Sequence, residues 1–434
     1  MLFLINSPNK NKNLKKMKRL TKTTVFVLLM LMASNAMAQF TLSAELRPRT
    51  EYRHGFSSLM ADNEKPAFFT SQRTRLNFNF KAEDVSFFVS LQDVRVWGEV
   101  PQLNRSDENS SIHEAWAELR LAKWARLRLG RQELVYDNAR IFGNVDWAQQ
   151  GRSHDLALFK FNTGSKSQLH AGFAFNQNSE RRVSTDYTLN NYKAMQFAWF
   201  NTRFSKGALS LLFLNNGIQH DSKTVYTQTT GGRLTLNPTK INLSASGYLQ
   251  TGRDGANRKL SAHYLAAEAG YGLSPKVNAS VGFELLSGTD MNAWLGNNVI
   301  NKSFSPLYGT NHAFNGHMDY FFVGNHANNV GLVNPYASVT YRNKALTLQA
   351  MGHLFFANGK ITEAGNPAIQ MDSYLGSELD LIVGYTLSPR ATLRGGYSQM
   401  FGTSSLQRIK SGNHEKTQNW LWVMFVIRPT LLGN

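Results

Sequence analysis

The side chains here that are able to do chemistry are mostly arginines set two or four residues apart. Arg47, Arg49 and Arg53 form one set, Arg73 and Arg75 a second, Arg126 and Arg128 a third. In an extended strand alternate residues share a face, so each set stacks its guanidinium groups on one side. A guanidinium keeps its charge at any ordinary pH and grips a carboxylate through two parallel hydrogen bonds. The chemistry of such a track is attraction of anions, not bond breaking. Arg233 and Arg394 extend it, and Glu114 and Glu118 stand beside it as acids that keep some arginines paired. Conduction needs weak, repeated sites, which such pairing provides. The plainer alternative is that these arginines only solvate a wet face or meet lipopolysaccharide at a rim.

Other chemistries find less support. The chain has no cysteine, which excludes disulfides, thiolate metal sites and thiol nucleophiles. No Gly-x-Ser-x-Gly occurs, and His113, His154 and His170 have no spacing that singles out a catalytic pair. Glu114 and Glu118, four residues apart on a strand, are separated by roughly 13 Å, too far for either glycosidase geometry. His312, His317, Asp319 and His326 fall in one long link, but at intervals that fit no tight metal motif, and a structural loop folded into the lumen is expected there. The reading is therefore of a non-enzymatic protein without cofactor or metal.

The elements that must carry the arginines are two-faced strands. Val277, Ala279, Val281, Phe283 and Leu285 alternate with Asn278, Ser280, Gly282 and Glu284. The same period of two runs through residues 40–53 and 241–250. About eighteen such segments are expected, beginning near residues 40, 70, 85, 112, 125, 154, 167, 192, 207, 225, 240, 260, 277, 331, 345, 376, 391 and 418. Residues 154–161 alternate poorly. Most segments have the length a tilted strand needs to cross a bilayer. Short turns such as Asn237-Pro238 and Ser388-Pro389 alternate with long polar links over 54–69, 98–111, 135–153, 179–191, 215–224, 252–259, 287–330, 357–375 and 402–417. This is the pattern of an all-β transmembrane up-and-down barrel with short periplasmic turns and long extracellular loops. Aromatic residues on the apolar faces near strand ends (Phe40, Trp199, Trp420, Trp422) are expected to form interfacial girdles. Strand 85–97 shifts phase after Leu91, which predicts a bulge that turns Asp93 and Arg95 inward.

Composition agrees with a secreted barrel. Hydrophobic residues are 42% and charged residues 18%, and no apolar run of 18 follows residue 33, which excludes a helical membrane protein. Residues 1–38 read as a cleaved signal peptide: Lys15 to Lys22 are its basic region, Thr24 to Ala33 its apolar core, and Ala36-Met37-Ala38 its cleavage site. Either Met1 or Met17 serves as the start. Residues 39–434 form a single barrel domain in this reading. The leader holds seven basic residues and no acid, so +11 of the formal +18 stays with the mature chain. A secreted barrel does not meet nucleic acid. Its expected partners are outer-membrane lipid, lipopolysaccharide and the barrel assembly machinery, which would read a signal around Trp420 to Ile427.

Several pieces of the chain resemble the alginate export porin family: Gln92-Asp93-Val94-Arg95-Val96-Trp97-Gly98, Gly130-Arg131-Gln132-Glu133-Leu134, Asp146-Trp147 with Gly151-Arg152, Gln250-Thr251-Gly252, Ser287-Gly288, and Gly309 to Gly316 with Asp319. The resemblance implies an 18-stranded outer-membrane barrel whose electropositive lumen conducts an acidic polysaccharide. It also implies pore roles for Asp93, Arg95, Arg131, Glu133 and Arg152. The expected function is an anion-selective porin for an alginate-like polysaccharide or its fragments. A general small-nutrient porin of the same fold is the alternative, and a barrel-borne hydrolase is a third, weaker one.

Overall fold

A computed structural model describes residues 39–296, 299–310 and 312–433. The expected leader, 1–38, lies outside them. The strands are β1 (Gln39–His54), β2 (Ala67–Lys81), β3 (Val85–Val96), β4 (Ser110–Ala122), β5 (Ala125–Gln132), β6 (His154–Asn162), β7 (Ser167–Phe175), β8 (Ala194–Phe204), β9 (Gly207–His220), β10 (Lys223–Leu236), β11 (Ile241–Arg253), β12 (Lys259–Gly272), β13 (Val277–Leu286), β14 (Leu332–Asn343), β15 (Leu346–Phe356), β16 (Thr362–Glu363), β17 (Asn366–Gln370), β18 (Tyr374–Ser388), β19 (Ala391–Gly402), β20 (Gln418–Ile427) and β21 (Thr430–Leu432).

Each barrel strand pairs antiparallel with its neighbours, and β1 pairs with β2 on one side and with β20 and β21 on the other. The sheet thus closes. Pro429 has no N–H to give the ladder and splits the last strand into β20 and β21, so the barrel counts eighteen strands. The hairpin β16–β17 lies outside the barrel sheet, within a loop. Closure is required because each unpaired backbone group in hydrocarbon costs several kcal/mol.

Side-chain alternation sorts the wall. On β18, Leu379, Leu381 and Val383 are exposed outward, while Glu378 and Asp380 are buried inside. On β20, Leu421, Val423 and Phe425 face out and Trp420, Trp422 and Met424 face in. Two of the expected girdle tryptophans are therefore lumenal. Trp199 is the third, buried beside Phe197, Leu212 and Leu214 on an apolar inner wall. Only Phe40 of that group faces outward. The apolar inner wall also explains the poor alternation of β6: Leu156 and Leu158 face inward and are buried too, so both faces of that strand are greasy.

Two further expectations change. The link 215–224 is mostly strand, and only Asp221 and Ser222 turn the β9–β10 hairpin. Asn215, at the start of that link, joins an amide ladder with Gln196 and Gln228 on neighbouring strands (2.8 Å each). Strand β3 keeps its phase, and its register with β2 is unbroken, with Thr74 opposite Asp93 and Gln72 opposite Arg95. Gln92 points inward, where Arg75 donates to it (3.0 Å). Asp93 and Arg95 therefore face outward, on the side of Leu76, where they bond each other and Arg95 reaches Asp107 (3.3 Å). The bulge is real but sits in β4: Ser90 opposes Glu114 and Leu91 opposes Ile112, so His113 is the extra residue, and it turns inward.

Alternation of this kind is directly testable. Val281→Arg, at mid-strand on the outer face, should weaken folding into lipid vesicles by about 2–4 kcal/mol. Ser280→Arg, one residue away on the lumen side, should fold close to wild type in the same urea titration.

Candidate functional site

The arginine sets of β1 and β2 lie side by side: Arg47 opposes Arg73, and Glu45 opposes Arg75. Like charges at this separation persist only if each is answered. The answer is the loop 133–153, which folds into the barrel and lays its backbone on them. Arg47 donates to the Asp146 carbonyl (2.7 Å) and the Gln149 side chain (3.0 Å), and Arg49 to the Trp147 carbonyl (2.6 Å). Arg73 bridges Glu45 (2.5 Å) and Asp146 (2.8 Å). Glu51 sits between Arg49 and Arg53 and also accepts from the Trp420 indole. Burial alone would raise the Asp146 carboxyl; the neighbouring Arg73 and Arg47 outweigh that and hold it below the usual range. As a result Arg47, Arg49, Arg73 and Arg75 are only 2%, 4%, 1% and 9% exposed. The densest part of the expected anion track is a clamp for a loop.

A second loop, 287–331, enters from the opposite wall. Asn315 donates to Glu284 (2.8 Å), and the Met318 amide donates to Glu378 (2.8 Å). The two loops meet across the lumen. Gly143 donates to the Tyr308 carbonyl (2.8 Å), Arg152 donates to the Gly309 carbonyl (3.1 Å), and Trp147 stacks on His312 at 4.0 Å. Gly309 is required by this approach, since a Cβ there would lie 2.2 Å from the Arg140 carbonyl oxygen. The meeting forms a constriction of packed aromatic and amide groups.

The histidines of the long loop serve it structurally. His326 bonds the Gly331 carbonyl and His312 meets Asp319, while burial holds the His317 imidazole below its ordinary value, so it is neutral at neutral pH. Among the described residues, a set of metal-type ligands within 4.8 Å of one another does occur elsewhere, at His113, Glu114 and Glu133. Its atoms are already engaged: His113 with Glu133 (2.7 Å), Glu133 with Asn144 (2.7 Å), and Glu114 with the Glu133 amide (2.9 Å). We read it as the hinge from which the inward loop departs.

Toward the short turns the lumen is different. Three cations, Arg128 (2.8 Å), Lys160 (2.6 Å) and Arg126 (3.7 Å), share the single acid Glu118. Arg203, Arg233, Arg342 and Arg394 also face inward there, and among the described residues none has an acid within 4.0 Å. Arg203 and Arg233 line a cavity of about 420 Å³ with Gln168, Asn201 and Trp199. Asp137 is its one acid among the described residues. Burial pushes that carboxyl up, against hydrogen bonds from Ser210 and Trp199 and the charge of Arg233.

The expected pore residues thus divide four ways. Arg47, Arg49, Arg73, Arg75 and Arg152 are inside but covered, while Glu118, Glu133 and Arg53 are inside and paired. Arg128, Arg233 and Arg394 face the open lower lumen. Asp93, Arg95 and Arg131 are outside. Arg131 is opposite Ala115, on the face of Leu127 and Leu129, and it pairs there with Asp155 (2.8 Å). Arg203 and Arg342 were missed. Their alternation was readable, but assigning Trp199 to lipid placed Arg203 with it on the wrong face.

Comparison with known proteins agrees with this architecture. The model of the family described as alginate export matches residues 38–411. No curated protein matches the chain. Among solved structures, Acinetobacter baumannii OccAB4 is similar at 11% identity and a TM-score of 0.61, covering 91% of this chain and 98% of its own. Pseudomonas aeruginosa OpdQ is similar at 13% and 0.59, with 91% and 98% covered. Pseudomonas aeruginosa OccK2 (OpdF) in complex with glucuronate is similar at 17% and 0.57, with 91% and 97% covered.

If the ladder clamps the loop, Arg73→Ala takes from the buried Glu45 one of its two arginine partners, leaving Arg428, and takes from Asp146 one of its anchors. It should cost about 1–3 kcal/mol, the scale of a hydrogen bond to a charged group, and expose loop 133–153 to added protease. Arg131→Ala breaks only an exposed pair and should cost about 0–1 kcal/mol in the same unfolding titration.

Proposed function

The chain belongs to the alginate export family, and we propose that it is an outer-membrane channel passing small acidic saccharides or an acidic polysaccharide by passive diffusion, with selectivity set at the periplasmic half of its lumen. The carrying observation is the surplus of unpaired cations there, above all Arg203 and Arg233 in one cavity with three amides and an indole. A uronate needs these groups: guanidinium for its carboxylate, amides for its hydroxyls, and an aromatic face for its ring. That one structural neighbour was solved with glucuronate supports the same ligand class. Such cations act in a lumen walled by low-dielectric protein, where a field of one sign is focused. The upper arginines contribute less, because each is answered within the fold. The fold, the family and the engaged acid and histidine groups speak for a channel rather than an enzyme.

Reversal potentials in a salt gradient across a planar bilayer test this reading, and anion preference is expected. Arg203→Ala with Arg233→Ala should reduce that preference and weaken block by trigalacturonate roughly tenfold or more, the scale of one lost charge-assisted hydrogen bond. Cation preference in the wild type refutes the proposal. The sign of the pH effect follows from Asp137. Its raised carboxyl becomes neutral at a higher pH than an ordinary aspartate. Acidification toward that value therefore removes the cavity's one acid and should tighten block, and Asp137→Asn should tighten it at neutral pH and flatten the dependence.

A further inference from the structure

A second, larger cavity lies on the long-loop side of the constriction, about 640 Å³ in volume. It is bounded by the loop 176–193, the upper ends of β9 to β11, the loop 254–258 and the long loop 287–331. Its chemistry is unlike that of the lower lumen. The charged side chains on its wall are Asp254 and Arg258, and they are bound to each other (2.8 Å). Asp254 also accepts from two backbone amides and from Asn301 (2.9 Å). No net charge is left to draw an ion.

What remains uncommitted is neutral and polar. The Tyr308 hydroxyl donates to Asn216 Oδ1, which fixes that amide and turns its Nδ2 to the cavity. Asn216 is 3% exposed, and its Nδ2 has no partner among the described residues. Asn191 is exposed at the cavity mouth, where its Oδ1 accepts from the Tyr192 backbone (2.8 Å), and Gln219 donates to the Asp221 carbonyl and keeps its Oε1. These amide groups open onto the cavity, so its wall suits a ligand that both donates and accepts hydrogen bonds. Tyr192 and Tyr308 meet edge to face at 5.4 Å and supply an aromatic wall.

We propose that this extracellular cavity is a binding site for a neutral saccharide unit, distinct from the cationic cavity below. An apolar ligand would strand the amides, and an anion would find Arg258 already taken. Sugar hydroxyls both donate and accept, which matches free amide N–H and C=O groups, and the C–H faces of a pyranose pack on tyrosine rings. The volume falls within the range of small-ligand sites and accepts a short oligosaccharide. The channel then meets an uncharged sugar before it meets an acidic one, whatever the ion selectivity of the lower lumen.

The test uses the full mature barrel in a planar bilayer, with maltotriose, cellotriose or trialanine added on the long-loop side. The result expected is transient current block by a neutral trisaccharide at millimolar concentration and none by trialanine. Asn191→Ala, on an exposed loop, and Asn216→Ala should each raise the half-blocking concentration roughly tenfold, the scale of one hydrogen bond. Trigalacturonate block from the short-turn side should not change in these variants, so failure here is separable from failure of the anion reading. No block by either sugar up to about 50 mM, well beyond a weak millimolar site, overturns the proposal. Equal block by trialanine, or block indifferent to both substitutions, overturns it too.

Discussion

A buried guanidinium must have its N–H groups answered, and in this barrel that requirement organises the lumen. Four arginines side by side on β1 and β2 cannot be left bare in a partly dry interior: removing a partner from a buried ion pair costs about 3–5 kcal/mol. Two strand glutamates answer some of their donors. The rest are answered by Asp146, by the Gln92 and Gln149 side chains and by consecutive carbonyls of the inward loop. Backbone carbonyls are fixed in number and direction, so the loop is held in one path. That path delivers Trp147 to His312 and Gly143 to Tyr308, and the constriction follows. The division of the lumen into a neutral upper cavity and a cationic lower one is a consequence of where that loop lies.

The wall was legible from sequence to a degree the interior was not. Period-two alternation locates all eighteen strands, most starts within two residues, because the wall separates two solvents and each residue is assigned to one of them. The same logic fails where the lumen is not wet. Trp199, Trp420 and Trp422 are apolar and point inward, against loop residues rather than water. A rule that equates apolar with lipid-facing must misplace them. The converse error concerns Asp93, Arg95 and Arg131. They are charged and point outward, near the extracellular rim, where headgroups and water replace hydrocarbon and an ion pair is tolerated. The bulge was visible as a broken pattern near residue 91, yet its strand was not. A register slip is a property of a pair, and one strand's sequence records only that a slip exists.

Those errors bear on function through a single distinction, that between a charge and a field. The mature chain is strongly basic by count, but each guanidinium on a matched carboxylate or carbonyl set contributes a short-range dipole, not a monopole reaching across the lumen. Arg95 and Arg131, outside the wall and paired, add little to the inside. Arg203, Arg233, Arg342 and Arg394 have no such partner among the described residues and keep their reach. Selectivity in a channel of this kind is therefore set by the arginines left over after folding has used its own. Residues that look most like a track in the sequence, because they are densest, are for that reason the ones folding must neutralise. Sparse arginines on separate strands escape that need, and they are free to act on whatever passes.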